Sequence, residues 1–160
     1  MNITLHYLFS KNEKIGSKII RWATKHLVEA KDVPSHVALL VNERWVFEST
    51  LFTGIRVIPY KKWLEINSEV KKIKCREHRE YTKLRAIYDR IKKKKYDWPG
   101  IIYFGWFLLL NKITGLPIPK VNKWQSESLY FCSEAIAEVL DMPDHGMKSP
   151  AEMMVDVAAK

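Results

Sequence analysis

Apolar and polar positions along the chain follow two rhythms. Residues 3–9, Ile-Thr-Leu-His-Tyr-Leu-Phe, read as a strand. Over 15–28 the apolar positions Ile15, Ile19, Trp22, Ala23 and Leu27 recur at helical spacing, and Asp32-Val33-Pro34 ends that pattern. His36–Val41 and Trp45–Ser49 are short runs rich in β-branched and aromatic residues on either side of Asn42-Glu43-Arg44, the signal of a hairpin. Gly54–Pro59 and Val70–Cys75 add two further expected strands. Tyr81–Lys94 reads as a helix and Tyr96–Gly100 as a turn or helix start. Thr114–Gln125, with two prolines and a glycine in its first half, reads as a loop, and Phe131–Leu140 as an amphipathic helix. Ser149-Pro150-Ala151-Glu152 carries an N-cap, a proline at the first helical position and the acid that closes a capping box. The expectation is one α+β domain over 1–160, an antiparallel sheet packed against helices, with no internal repeat.

Residues 100–110 contain no charge. Eleven residues reach only about 16 Å as a helix, against a hydrocarbon core of roughly 30 Å. They cannot span a bilayer, which leaves a buried core helix or an interfacial segment. No secretory signal opens the chain and no transmembrane helix is expected. This predicts action in the cytoplasm, export by another route, or delivery as part of a virus particle.

Charge changes the picture of partners. Lys and Arg number 27 against 18 Asp and Glu, a net charge of +9 over 160 residues. Such a balance favours anionic partners: nucleic acid, anionic lipid or a bacterial wall. The basic residues are spread along the chain and form no nucleic-acid module, which argues against nucleic acid. The run Lys92, Lys93, Lys94, Lys95 beside the apolar 98–110 stretch has the character of a membrane-surface element, although such a run is also an ordinary solvated helix end. The sequence leaves the oligomeric state open.

Candidate chemistry centres on Cys132, His36 and Glu48. With only two cysteines, Cys75 and Cys132, and no Cys-x-x-Cys pair, neither a disulfide scaffold nor a zinc ribbon is expected. His6, His26, His78 and His145 are scattered, so no metal and no cofactor are expected. Cys132 stands at the start of an expected helix, where the positive end of the helix dipole favours the nucleophilic thiolate. Cys75 lacks a histidine–carboxylate pair and reads as structural. His36 opens a strand and titrates near neutrality, so it can take a proton and return it. Glu48 lies among apolar neighbours and needs a partner or an outward face.

Strand alternation makes a sharp demand on that trio. A two-residue turn at Asn42-Glu43 would pair His36 with Ser49 and send His36 and Glu48 to opposite faces. A three-residue turn over 41–43 would pair His36 with Glu48, and one over 42–44 would set them diagonally on one face. An odd connection or a bulge is therefore expected.

The order His, acid, Cys at a helix start resembles that of the circularly permuted papain-like hydrolases, the NlpC-type permuted group with YiiX-like and lecithin:retinol acyltransferase-like members. Three segments carry the likeness: Ile15–Thr24 running into Pro34–Leu40, Trp45-Val46-Phe47-Glu48-Ser49, and Phe131-Cys132-Ser133-Glu134 with Tyr96–Gly100 upstream. The resemblance implies Cys132 as nucleophile, His36 as general base and acid, and Glu48 as the residue that orients the imidazole. It also implies an oxyanion site using the Cys132 backbone N–H, with Tyr130 and His6 as candidates for a second donor. The implied activity is a thiol hydrolase or acyltransferase cleaving an amide or ester through a thioester, on peptide, peptidoglycan or acyl-lipid. The contrasting expectation is a basic binding module, on a membrane or nucleic acid, whose triad is idle.

Overall fold

The computed structural model describes residues 3–25, 28, 31–50, 52–75, 81–93, 95–96, 98–117, 119, 129–130, 132–142 and 148–159, with backbone only at 81, 95–96, 98–101, 104 and 129–130. Over these residues the chain runs β1 (Leu5–Lys11), α1 (Ile15–Thr24), β2 (His36–Val41), β3 (Trp45–Thr50), β4 (Gly54–Pro59), α2 (Tyr60–Leu64), β5 (Ser68–Lys74), α3 (Tyr81–Ile91), β6 (Lys95–Tyr96), α4 (Trp98–Thr114), β7 (Leu129–Tyr130), α5 (Cys132–Leu140) and α6 (Pro150–Ala158). It is an α+β architecture with a five-stranded antiparallel sheet in the order β4-β3-β2-β1-β5. A short parallel pair, β6 with β7, sets the backbone just ahead of Cys132.

Each face of the sheet has its own core. Tyr7, Phe9, Val37, Leu39, Phe47 and Ile55 join Ile136, Val139 and Met153 of α5 and α6 in the larger cluster. Leu8, Ala38, Leu40 and Val46, one residue out of phase, pack with Trp63 of α2 in the smaller one. The period of two along a strand separates the two sets. α6 starts as its sequence requires: Ser149 Oγ accepts from the Glu152 N–H, and the Glu152 carboxylate accepts from the Ser149 N–H.

Several elements differ from expectation. α1 ends at Thr24, whose hydroxyl donates to the Ile20 carbonyl inside the helix, and Leu27 falls outside the described residues. Its apolar stripe faces outward: Ile15, Ile19 and Trp22 are exposed, while Ser17, Ala23 and Thr24 are buried. Helical spacing says that such a stripe exists but not which side is covered. α3 stops at Ile91. Lys92 pairs with Asp89 and lies over the Tyr88 ring, Lys93 is exposed, and Lys94 and the Lys95 side chain lie outside the described residues. α4 carries the apolar stretch within a seventeen-residue helix that ends at the start of the expected loop, most of which lies outside the described residues. Its Tyr103 and Leu108 are buried, but Ile102, Trp106 and Ile113 are exposed. Among the described residues no helix is long and apolar enough to cross a membrane. The five-residue α2 was not expected, because one turn of helix is too short to show a period.

Candidate active site

The β2–β3 connection is Asn42-Glu43-Arg44, three residues, with Val41 opposite Trp45, Leu40 opposite Val46 and Leu39 opposite Phe47. Asn42 and Glu43 both adopt left-handed φ, 50° and 55°, and the Arg44 N–H closes back on the Val41 carbonyl at 3.1 Å. Asn tolerates that conformation readily. The Asn42 side chain is held there by accepting from the Thr4 N–H at 2.8 Å. Arg44 is the extra residue that restores an odd count. Continuing the register sets Ala38 opposite Glu48, so His36 and Glu48 are diagonal neighbours on one face.

On that face His36 Nε2 lies 2.8 Å from Glu48 Oε2. Glu48 is 1% exposed, and a bare carboxylate at that depth would be costly. It is fully engaged instead. Oε2 also accepts from the Trp63 indole N–H at 3.0 Å, and Oε1 accepts from Arg56 Nε at 2.8 Å and Arg56 Nη2 at 2.6 Å. Arg56 stands directly opposite Glu48 on β4, and Trp63 comes from α2. Burial raises the Glu48 pKa, but the hydrogen bonds and charges of His36 and Arg56 outweigh it and leave the group below the usual carboxylate range.

Cys132 is the first residue of α5, which packs against β2, and His36 is the first residue of that strand. With Nε2 committed to Glu48, Nδ1 is the imidazole nitrogen left for the sulfur, and Cys132 lies close enough to His36 for each to move the other's titration. Burial pushes the thiol pKa up, yet the hydrogen bond and charge of His36, with backbone N–H groups of Val37 and Ser133 aimed at the sulfur, bring it below the ordinary thiol value. Burial alone would depress the His36 pKa. Cys132 and Glu48, one on each side of the ring, raise it to about 10. The two shifts are one physical statement: the thiolate–imidazolium pair is favoured over the neutral pair.

A cleft of about 390 Å³ opens beside the imidazole, lined by His36, Glu48, Ser35, Ser17, Asn12, Ile19, Phe52 and Arg56 among others. Ser17 of α1 and Ser35, next to His36, share a hydrogen bond of 2.5 Å between hydroxyls, which ties α1 to the start of β2. A more apolar cavity of about 420 Å³, lined by Leu39, Trp45, Phe47, Leu84 and Tyr88 between the sheet and α3, includes none of the three candidate residues. His36 and Glu48 line the first cleft, whereas Cys132 is not among its lining residues.

The Cys132 N–H lies in the first turn of α5, where backbone donors have no intrahelical acceptor. His6 is removed as a second oxyanion donor. It pairs with Leu40, well down the strand from His36, and its Nδ1 faces Glu43 Oε1 at 3.0 Å. The Tyr130 side chain lies outside the described residues. Cys75 and Cys132 are 6% and 5% exposed, and both belong to the larger core. Among the described residues no three His, Cys, Asp or Glu side chains group to hold a metal ion. Arg56 and Trp63 were not anticipated. The available signal was positional, since an arginine in mid-strand one hairpin away from a buried acid is placed to pair with it.

Comparison with protein-family models, with curated proteins and with solved structures finds no match for this chain.

Proposed function

We propose that this protein is a thiol hydrolase or acyltransferase of permuted papain-like fold, cleaving an amide or ester bond through Cys132, His36 and Glu48. One observation supports the reading most: the His36 imidazole bonds a buried carboxylate through Nε2 at 2.8 Å, with the helix-start thiol of Cys132 close enough that imidazole and thiol shift each other's titration. The order His, Glu, Cys along the chain supports the permuted fold.

In this reading the Cys132 thiolate attacks the carbonyl carbon, and the π electrons move onto oxygen. The first-turn N–H groups of α5 face the developing oxyanion. Collapse breaks the C–N or C–O bond, and the leaving amine or alcohol takes the proton from the His36 imidazolium. A thioester remains on Cys132. Water then attacks it, giving a proton to His36, and the thiolate leaves. An alcohol or amine in place of water makes the same step an acyl transfer. Glu48 keeps the ring oriented and stabilises its positive charge. Peptide, peptidoglycan and acyl-lipid carbonyls all suit this chemistry.

The two cysteines provide the test. Cys132 is 5% and Cys75 6% exposed, so access alone predicts equal labelling. Iodoacetamide at neutral pH is expected to modify Cys132 much faster, and incubation with peptidoglycan fragments or phospholipids to leave an acyl adduct on Cys132 by mass. Equal, slow labelling of both thiols would defeat this reading in favour of a binding module with an idle triad.

A further inference from the structure

We propose that the outward faces of α1 and α4 form a docking surface for an anionic lipid membrane, with the cleft beside His36 opening at that surface. α1 is inside out for a helix of a water-soluble fold. Ile15, Ile19 and Trp22, on one stripe, are 77%, 59% and 55% exposed, while the buried positions are Ser17, Ala23 and Thr24. α4 packs beside α1 and repeats the pattern. Ile102, Trp106 and Ile113, spaced i, i+4 and i+11 on one face, are 59%, 59% and 71% exposed. The two helices join where Lys112 Nζ sits 3.5 Å from the centroid of the Trp22 ring. Water-soluble chains rarely leave contiguous apolar surface of this kind uncovered.

Charge selects the occupant. Lys14, Lys25 and Lys112 are exposed around the apolar stripes, on a chain with net charge +9. Apolar side chains that enter the acyl boundary, tryptophans at the interface and lysines at head-group level are the composition of a helix lying in a membrane surface. A second protein copy would set these lysines against one another. Position supplies the link to chemistry, because Ile19 lines the same cleft as His36, and Phe52, 83% exposed, lines its rim. The membrane as the source of the acyl substrate rests on the thiol acyl-transfer reading, whereas the docking itself does not.

Co-sedimentation with vesicles of equimolar phosphatidylglycerol and phosphatidylcholine, against phosphatidylcholine alone, tests the docking. The intact chain is expected to pellet with the anionic vesicles and far less with the neutral ones. The double variant Ile19→Glu, Trp106→Glu, both at exposed positions, is expected to bind at least about tenfold more weakly. Val155→Glu on α6, an equally apolar exposed site elsewhere, is expected to bind as the parent does. Binding by the double variant equal to the parent, or no pelleting of the parent at low salt, overturns the proposal. So does a dimer in sedimentation velocity that the double variant dissolves while the parent ignores vesicles. Cys132→Ala is expected to dock normally, so that docking without adduct formation would sink the chemistry alone.

Discussion

His36 and Glu48 are 2.8 Å apart although neither is the other's cross-strand partner. Their meeting depends on the odd count of Asn42-Glu43-Arg44. Deleting Val46, between the turn and Glu48, would keep Val41 opposite Trp45 but set Glu48 opposite Leu39, on the other face from His36. The deletion is expected to abolish preferential labelling of Cys132 at neutral pH. Arg44→Ala, which keeps the register, is expected to retain it. Alkylation followed by peptide mapping distinguishes the two.

The ion pair fixes a pH profile. The Cys132 pKa is lowered, so its thiolate persists below the range of an ordinary thiol and is lost only as pH falls through the depressed value. The His36 pKa is raised to about 10, so the imidazolium that the proposed mechanism uses as proton donor is lost only as pH rises past it. Alkylation of Cys132 is expected to persist to lower pH than that of an ordinary thiol. In His36→Ala the burial that raises the thiol pKa remains without its main opponent. Neutral labelling is expected to fall by about tenfold or more, recovering at alkaline pH. Stopped alkylation over a pH series measures both limbs.

Replacing Glu48 by Gln removes the charge but keeps the shape. The expected loss in acyl-transfer rate is on the order of 10²–10⁴-fold, because the ring loses its orienting and stabilising partner. The variant also leaves Arg56 facing a neutral group. Because the folded pKa of Glu48 is depressed, the carboxylate contributes stability above the ordinary glutamate value and loses it as pH falls through the folded one. Urea midpoints between neutral and acid pH are expected to drop less steeply for the Gln variant than for the parent.

Trp63 and Arg56 act on the site through Glu48. Trp63→Phe deletes the 3.0 Å indole bond and leaves space in the smaller core, with an expected cost of about 2–4 kcal/mol in urea unfolding. Arg56→Met removes the cation that holds Glu48 ionised. It is expected to slow Cys132 labelling less than Glu48→Gln does, and to shift the acid limb of the stability curve upward in pH.

How much of this was legible in the residues follows from the range of each signal. The β2–β3 hairpin and the α6 cap are written in adjacent positions, and both stand in the structure where local chemistry puts them. His36, Glu48 and Cys132 were nameable because each residue type has a chemical reason to stand at its strand or helix position. Their convergence required a register that sequence could only pose as odd or even. Trp63 was out of reach, since an aromatic in a one-turn helix acquires meaning only when α2 is assembled, and the mid-strand place of Arg56 pointed to Glu48 only once the β3–β4 register was known. α1 shows the opposite limit: its periodicity was plain, yet the covered side turned out to be that of Ser17 and Thr24 rather than Ile15 and Ile19.

β2, which carries His36, is the middle strand of five, paired with β1 from His36 to Val41 and with β3 over Leu39–Val41. Its amides should be among the slowest to exchange with deuterium, opening only when the whole sheet does. The imidazole is therefore anchored to the most durable part of the molecule rather than to a loop. Local fraying elsewhere would leave it in place, and heat would silence it only in the transition that melts the sheet.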